Sequence, residues 1–167
     1  MTSNQAPVFF WRETEAQYGF LSQWYDSTFQ VDGVEYRTAE MWMMVQKARL
    51  FGDEDIAQKM MQTTNPKEHQ ALGRKAKGFD RKKWDEHKSR IVEEGNYHKF
   101  TKTTPEMKMW LLETGDRELV EASPYDRIWG VGFVAKDAEL NRSNWGENRL
   151  GKAIMKVREQ LRNEEKI

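Results

Sequence analysis

The sequence predicts an α+β fold, a single mostly helical domain with a small β-sheet or hairpin. Three observations support this class: an Asp-Gly dipeptide between alternating apolar residues, several runs of helix formers that begin with a capping residue, and an apolar stripe near the C-terminus. The chain of 167 residues contains only four prolines and no Gly/Ser-rich linker. We therefore expect one domain that spans residues 1–167.

Strand signals concentrate in the first quarter of the chain. Residues 8–12 (VFFWR) form a short apolar run compatible with a strand. Apolar residues then alternate on both sides of a central dipeptide: Phe29, Val31, Val34 and Tyr36. Because Asp32-Gly33 supplies the positive φ of a type I′ turn, residues 28–37 are predicted to form a β-hairpin.

Helices are predicted where a capping residue precedes a run of helix formers. The predicted helices span residues 39–51, 53–62, 66–76, 80–95, 104–113 and 148–164. The expected caps are Thr38, Asn65, Asp80, Thr104 and Asn148. The last helix carries an apolar stripe formed by Leu150, Ile154, Val157 and Leu161. Between the last two helices, strands are predicted at 118–122 and 130–134.

The composition excludes several classes of protein. The absence of cysteine rules out disulfides, thiolate nucleophiles, Cys-ligated zinc and iron–sulfur clusters. The 27 basic and 27 acidic residues cancel, so the whole protein has no field that would gather nucleic acid or an anionic membrane. Neither a signal-peptide pattern nor an apolar run of about 18 residues is present. We expect a cytoplasmic protein with no membrane partner.

One basic cluster interrupts this balance. Its members are Arg74, Lys75, Lys77, Arg81, Lys82 and Lys83. Such a cluster is most often a solvated helix face, and in fewer cases a phosphate-binding patch.

Two sequence features could indicate a bound cofactor or metal, but neither has the full pattern that such a site requires. Residues 130–135 match the glycine pattern of dinucleotide-binding loops, but no long helix follows them. His69, His87 and His98 lack the spacing of a metal site. We expect surface or capping histidines, no metal and no cofactor.

A first candidate for chemistry is the pair Glu40 and Lys47 on the predicted helix 39–51. The two side chains point within about 20° of each other, toward an otherwise apolar face. Burial of a charge costs several kcal/mol unless the charge is paired. The pair therefore indicates either a cleft in which both groups act, or a structural or partly exposed surface pair.

A second candidate is the segment EASPYDRIWGVG at residues 121–132. It combines two carboxylates, a Ser-Pro turn and Trp129, and Gly130 would allow a ligand or another backbone to approach closely. The alternative is a tight turn in which Asp126 caps its own backbone and Trp129 fills the core.

A third candidate is the segment WGENRLGK at residues 145–152, which enters the last predicted helix. Free N–H groups and the helix dipole at such a start attract phosphate, and Lys152 would add charge. An ordinary capped helix explains the segment equally well.

Taken together, these segments resemble the YbiA-like (NADAR) family. FLSQWY at 20–25 resembles its FLSNFY motif, and YRTAE at 36–40 followed by Gln46-Lys47 resembles its glutamate-bearing helix. The remaining matches are Asp80 with Trp84, Lys99-Phe100, LETG at 112–115, EASPYDRIWGVG and WGENRLGK. The resemblance covers about residues 9–162, the expected core of the domain.

The resemblance implies an N-glycosidase that hydrolyses the C–N bond of a ribosylated heterocycle. Its implied substrates are early riboflavin-pathway intermediates such as 5-amino-6-(5-phosphoribosylamino)uracil, or ADP-ribosylated guanine, the only form in which nucleic acid is an expected partner. The implied catalytic residues are Glu40, Asp126 and Lys47. The implied substrate-binding residues are Trp129, Trp84, Gly130, Asn148, Lys152 and Phe20.

The chemistry suits these side chains. A carboxylate can stabilise an oxocarbenium-like centre while it orients water, which is the role expected for Glu40. Two other classes of function stay open: a non-catalytic module that binds ADP-ribose, and a protein-interaction module that uses surface aromatics.

Overall fold

The computed structural model describes residues 5–166, which form mainly helices and two sheets of two strands each. The strands are β1 (Val8–Phe10), β2 (Phe29–Val31), β3 (Val34–Tyr36) and β4 (Leu119–Glu121). The α-helices are α1 (Ala39–Leu50), α2 (Glu54–Met60), α3 (Pro66–Gly73), α4 (Arg81–Lys102), α5 (Pro105–Glu113), α6 (Ala135–Ala138) and α7 (Arg149–Glu165). Short 3-10 helices occupy Gly19–Leu21 and Glu139–Asn144. The predicted mostly helical α+β class is confirmed.

The chain divides into two compact units. The middle unit is the continuous segment Gln23–Thr104, and the terminal unit joins the residues up to Ser22 with those from Pro105 onward. The single domain expected from the sequence stays a prediction. None of the helices within residues 5–166 is long and apolar enough to span a bilayer.

In the middle unit, the predicted hairpin forms around its Asp-Gly turn. β2 and β3 pair antiparallel, with Phe29 opposite Tyr36. Asp32 and Gly33 have φ angles of 52° and 79°, the two positive values that a type I′ turn requires. The hairpin places the stacked rings of Phe29 and Tyr36 in the core, where both side chains are almost fully buried.

Helix α1 is the central element of the middle unit and packs against α2, α3 and α4. As predicted, Thr38 caps it, because the Thr38 hydroxyl accepts a first-turn amide at 3.1 Å. Two glycines of neighbouring helices let the backbones approach α1 closely. A Cβ at Gly73 would collide with the Met44 side chain, and one at Gly95 would collide with the Trp42 indole.

The close approach at Gly95 also explains an error in the predicted helix bounds. The sequence pattern ends the fourth helix at residue 95, whereas α4 continues to Lys102. Gly95 is not a C-terminal stop; it is an interior residue that makes room for Trp42. The predicted cap of this helix is confirmed, since Asp80 Oδ1 accepts the N–H groups of Lys82 and Lys83 at 3.0 and 3.3 Å.

In the terminal unit, a parallel strand pair supports α7. β1 pairs with β4 in the register Val8 to Leu119, and α7 packs against β4. A small apolar cluster completes this unit: Val120, Val131 and Ala138, with Phe9, Phe133 and Trp145 against them.

The strand predicted at 130–134 is wrong. Gly132 has a φ of 82°, and only one backbone bond reaches β4 from this segment, from the Val131 amide to the Glu121 carbonyl at 3.0 Å. The Val131 carbonyl instead accepts the Gly146 amide at 2.9 Å. Residues 130–134 are therefore part of the connection between β4 and α7. The short helices Ala135–Ala138 and Glu139–Asn144, which follow in the same connection, were not predicted from the sequence.

The expectation of surface or capping histidines is wrong for His98, whereas His69 is a buried capping residue at the C-terminal end of α2. His69 is fully buried, and its Nε2 lies 3.0 and 2.9 Å from the Met60 and Thr63 carbonyl oxygens. His98 lies 5.0 Å from the Trp42 ring centre, and burial lowers the pKa of its imidazole.

One buried ammonium makes the stability of the protein depend on pH. Lys99 of α4 is fully buried, with its ammonium 5.2 Å from the Phe100 ring, and burial lowers the pKa of Lys99 to about 7. Its ordinary value is 10.5. Between these values the unfolded chain binds the proton and the folded protein does not, so stability rises with pH across this interval. Below about pH 7 both states carry the proton and the dependence disappears.

We therefore expect the free energy of unfolding of the wild type to rise relative to that of Lys99→Met, by up to about 1.4 kcal/mol per pH unit above pH 7. Urea denaturation of both proteins between pH 6 and pH 10 measures this difference. Parallel curves for the two proteins would show that Lys99 keeps its ordinary pKa in the folded state.

Candidate active site

Glu40, the expected catalytic carboxylate, lies in the first turn of α1. Its side chain is buried, with a relative exposure of 5%. Its amide donates to the Gln23 carbonyl at 3.0 Å, which fixes the chain ahead of the hairpin against the start of α1. The Gln23 side chain is held in turn by Asn96 of α4, with 3.1 Å between Gln23 Nε2 and Asn96 Oδ1. A carboxylate is favourable at this end of a helix, because the N-terminal dipole is positive.

Lys47 lies further along α1 and is held by aromatic rings. Its half-buried ammonium lies 5.0 Å from the centre of the Phe79 ring and 5.3 Å from that of Trp84. Such contacts attract a cation through the ring quadrupole. Within the described part of the chain, Lys47 forms no direct ion pair. The alternative interpretation of Glu40 and Lys47 as a structural salt bridge is therefore not supported for the described residues.

The charges around Lys47 act through space. Burial lowers the pKa of Lys47, the negative charge of Glu40 raises it, and the positive charges of Arg81 and Arg74 lower it further. Glu40 and Lys47 thus influence each other as their helical spacing predicts. The result is an ammonium that loses its proton more readily than an ordinary lysine.

Trp84 and Phe79 frame this site at the start of α4. Trp84 is buried, whereas Phe79 has a relative exposure of 44%. Phe79 is not among the site residues predicted from the sequence, although a local signal for it exists. Phe79 precedes the Asp80 cap and Trp84 is the fourth helical residue, the two positions of a hydrophobic staple.

In the terminal unit, Asp126 organises the loop after β4. Its Oδ1 accepts the amides of Ile128 and Trp129 at 2.9 and 2.8 Å. The tight turn considered from the sequence is therefore present. Trp129 is only half-buried, so it does not fill the core as that alternative assumed. Gly130 is buried against β4, where a Cβ would lie 2.8 Å from the Glu121 carbonyl oxygen.

Asn148 has a different role from the expected helix cap. It adopts a left-handed conformation with φ of 49°, and its side chain makes no capping bond. Its Oδ1 accepts the Glu121 amide at 3.0 Å and its Nδ2 donates to the Leu119 carbonyl at 2.9 Å. The side chain thus continues the hydrogen bonding of β4, because a primary amide offers the same donor and acceptor as a backbone.

The phosphate site expected at the start of α7 loses its main support. The amides of Asn148, Arg149 and Leu150 donate to the carbonyls of Gly130, Ile128 and Trp129 at 3.1 to 3.2 Å. These N–H groups would have been the anion donors, and the preceding loop occupies them. Of the groups expected to bind phosphate here, the Lys152 ammonium is exposed and accessible to a ligand.

Phe20, the last predicted substrate-binding residue, is buried in the 3-10 helix Gly19–Leu21 with a relative exposure of 7%. Its ring centre lies 5.6 Å from that of Trp110 on α5. Within the middle unit the structure thus groups Glu40, Lys47 and Trp84. Within the terminal unit, Asp126, Trp129, Gly130 and Asn148 share one hydrogen-bonded loop, and Lys152 follows on α7.

Comparisons with known proteins agree with the resemblance seen in the sequence. The NADAR domain family matches residues 9–162. N-glycosidase R617 of Acanthamoeba polyphaga mimivirus is 41% identical over 162 residues, which cover 92% of this chain and 95% of that protein. Riboflavin biosynthesis protein VVA0006 of Vibrio vulnificus is 29% identical over 157 residues, 94% of this chain and 39% of that protein.

A solved structure shows the same fold. The NMR structure of the E. coli protein YbiA matches with a TM-score of 0.80 at 27% sequence identity. The match covers 98% of this chain and 89% of that chain. It confirms the predicted YbiA-like fold.

Proposed function

The chain belongs to the NADAR domain family, and we propose on this basis that it is an N-glycosidase, a hydrolase acting on N-glycosyl bonds. Its proposed substrates join ribose phosphate to a heterocycle. Early riboflavin-pathway intermediates such as 5-amino-6-(5-phosphoribosylamino)uracil are the first choice. The name of the relative from Vibrio vulnificus supports this choice over other ribosylated heterocycles.

One observation carries the proposal at the level of chemistry. A buried carboxylate, Glu40, lies at the positive end of α1 and shares its surroundings with the Lys47 ammonium. Hydrolysis of a ribosyl C–N bond develops positive charge at C1′ in the transition state. A carboxylate fixed before the reaction stabilises that charge without reorganisation.

In the proposed step, a water oxygen attacks C1′ as the C1′–N bond breaks. The bonding electrons leave with the nitrogen of the heterocycle, which takes up a proton from bulk water. The attacking water gives a proton to Glu40, which then releases it to bulk water. The products are the free amine and ribose 5-phosphate, so one water is consumed for each bond broken. Glu40 orients the water and accepts its proton.

The other residues have supporting roles in this proposal. Lys47 keeps Glu40 ionised or contacts the anionic substrate, and Trp84 forms an apolar wall beside Lys47. In the terminal unit, Asp126 binds ribose hydroxyls or serves as the second carboxylate, and Trp129 stacks on the departing heterocycle. Four more residues are proposed to bind substrate: Gly130, Asn148, Lys152 and Phe20.

Product analysis tests the proposal. Purified protein is incubated with 5-amino-6-(5-phosphoribosylamino)uracil, and ribose 5-phosphate is quantified against a protein-free control. We expect release of ribose 5-phosphate in proportion to enzyme concentration. Release only from ADP-ribosylated guanine would move the substrate to that class. Binding of ADP-ribose in calorimetry without hydrolysis of either compound would replace the enzyme with a binding module.

A further inference from the structure

The surroundings of Lys47 contain more positive than negative charge. The exposed Phe79 ring has the Lys47 ammonium 5.0 Å from its centre and the Arg81 guanidinium 5.8 Å from it, so the two cations share one ring. The charge of Arg74, which follows α3, also acts on Lys47. Lys47 and Arg81 therefore meet at the Phe79 ring, Arg74 acts on Lys47 through space, and Glu40 is the acidic group that acts on Lys47.

The side chains of both arginines are exposed. Within residues 5–166, the guanidinium groups of Arg74 and Arg81 make no ion pair and no side-chain hydrogen bond. The acidic residues nearest to Arg81 in the sequence already have hydrogen-bond or ion-pair partners. Asp80 accepts two amides of its own helix, and Asp85 pairs with the Lys88 ammonium at 2.8 Å.

Guanidinium groups have the shape that recognises phosphate. Each presents a planar fork of N–H donors that can bind two oxygens of a phosphate at once. The Arg81 guanidinium lies over the exposed Phe79 ring, a contact that attracts a cation through the ring quadrupole. At the start of α7, by contrast, the loop 127–131 has taken up the amides that would have bound a phosphate.

We propose that Arg74 and Arg81 form an anion subsite in the middle unit that binds the phosphate of the substrate beside Lys47 and Phe79. This inference rests on the proposed function and deepens it, because it names the group that the enzyme recognises apart from the scissile bond. A phosphate monoester on ribose and the diphosphate of ADP-ribose share this chemistry. A bound phosphate also balances the charge around Lys47, which favours its protonated form.

The kinetic test compares a phosphorylated substrate with its dephosphorylated form. For Arg81→Gln and Arg74→Gln, we expect KM for 5-amino-6-(5-phosphoribosylamino)uracil to rise at least about tenfold, with little change for the dephosphorylated compound. Lys82→Gln is the matched control, since it removes an exposed positive charge next to Arg81 on the same helix. It should behave as the wild type. Equal losses on both substrates, or a phosphate-selective loss in Lys152→Ala alone, would overturn the subsite.

A binding measurement keeps this inference separate from the proposed function. Calorimetry with ribose 5-phosphate, ADP-ribose and ribose needs no turnover. We expect the wild type to bind the two phosphorylated ligands more tightly than ribose, and Arg81→Gln to lose that preference. A preference that survives in both arginine variants, or is absent from the wild type, would overturn the subsite even if the protein hydrolyses its substrate. A preference for ADP-ribose over ribose 5-phosphate would identify the diphosphate as the ligand.

Discussion

Replacement of Glu40 by Gln is expected to lower kcat for N-glycosidic hydrolysis by about 10³-fold or more. The amide has nearly the same size, so the packing of the buried first turn of α1 is preserved. It carries no negative charge to stabilise the oxocarbenium-like transition state, and it cannot accept a proton from water. Single-turnover release of ribose 5-phosphate measures the effect, and thermal unfolding checks that the variant is folded.

A matched control comes from the β-hairpin of the same unit. Glu35 lies on β3 and is exposed, so Glu35→Gln makes the same chemical change outside the site. We expect Glu35→Gln to retain nearly full activity. A folded Glu40→Gln protein with a kcat within about tenfold of the wild type would remove Glu40 from the mechanism.

The largest loss of stability is expected from Gly151→Ala. Gly151 lies in the first turn of α7, and a Cβ there would collide with the Leu119 carbonyl oxygen of β4 and lie 2.6 Å from the Asn148 side-chain amide. Both neighbours are fixed, because Asn148 is hydrogen-bonded to β4 on both sides. Relief of the clash must move the whole helix away from the strand, at a cost of about 3 kcal/mol.

Urea denaturation of the wild type and the variant measures this cost. Lys152→Ala, the next position on the same helix, is exposed and should change the free energy of unfolding by less than about 0.5 kcal/mol. An equally small change in Gly151→Ala would mean that α7 and β4 are not packed as closely as described.

Local sequence signals predicted most of the helices and the hairpin. Thr38, Asn65 and Asp80 cap helices at the expected positions, because a capping bond depends only on residues within one turn. The Asp32-Gly33 turn is equally local. The helical period alone placed Glu40 and Lys47 on one face of α1, and the charge of Glu40 acts on Lys47 in the structure.

The errors occur where a distant segment decides the outcome. Gly95 lies inside α4 because Trp42 of another helix needs the space. Asn148 pairs with β4 and does not cap α7, since the strand leaves an amide and a carbonyl to be satisfied. No pattern along the chain shows which carbonyls will meet a helix start. For the same reason, the sequence does not show that the amides at the start of α7 donate to the loop 127–131.

The pairing of β1 with β4 has a consequence for the order in which the protein folds. The middle unit is one uninterrupted stretch, so all of its contacts can form once that stretch has left the ribosome. The terminal unit has a much higher contact order, since Val8 must wait for Leu119 before its strand exists. During synthesis, the apolar N-terminal strand therefore has no partner until most of the chain is made. Once Leu119 has been made, a middle unit that is already folded lowers the entropy cost of pairing the two strands, because it leaves fewer flexible residues between them.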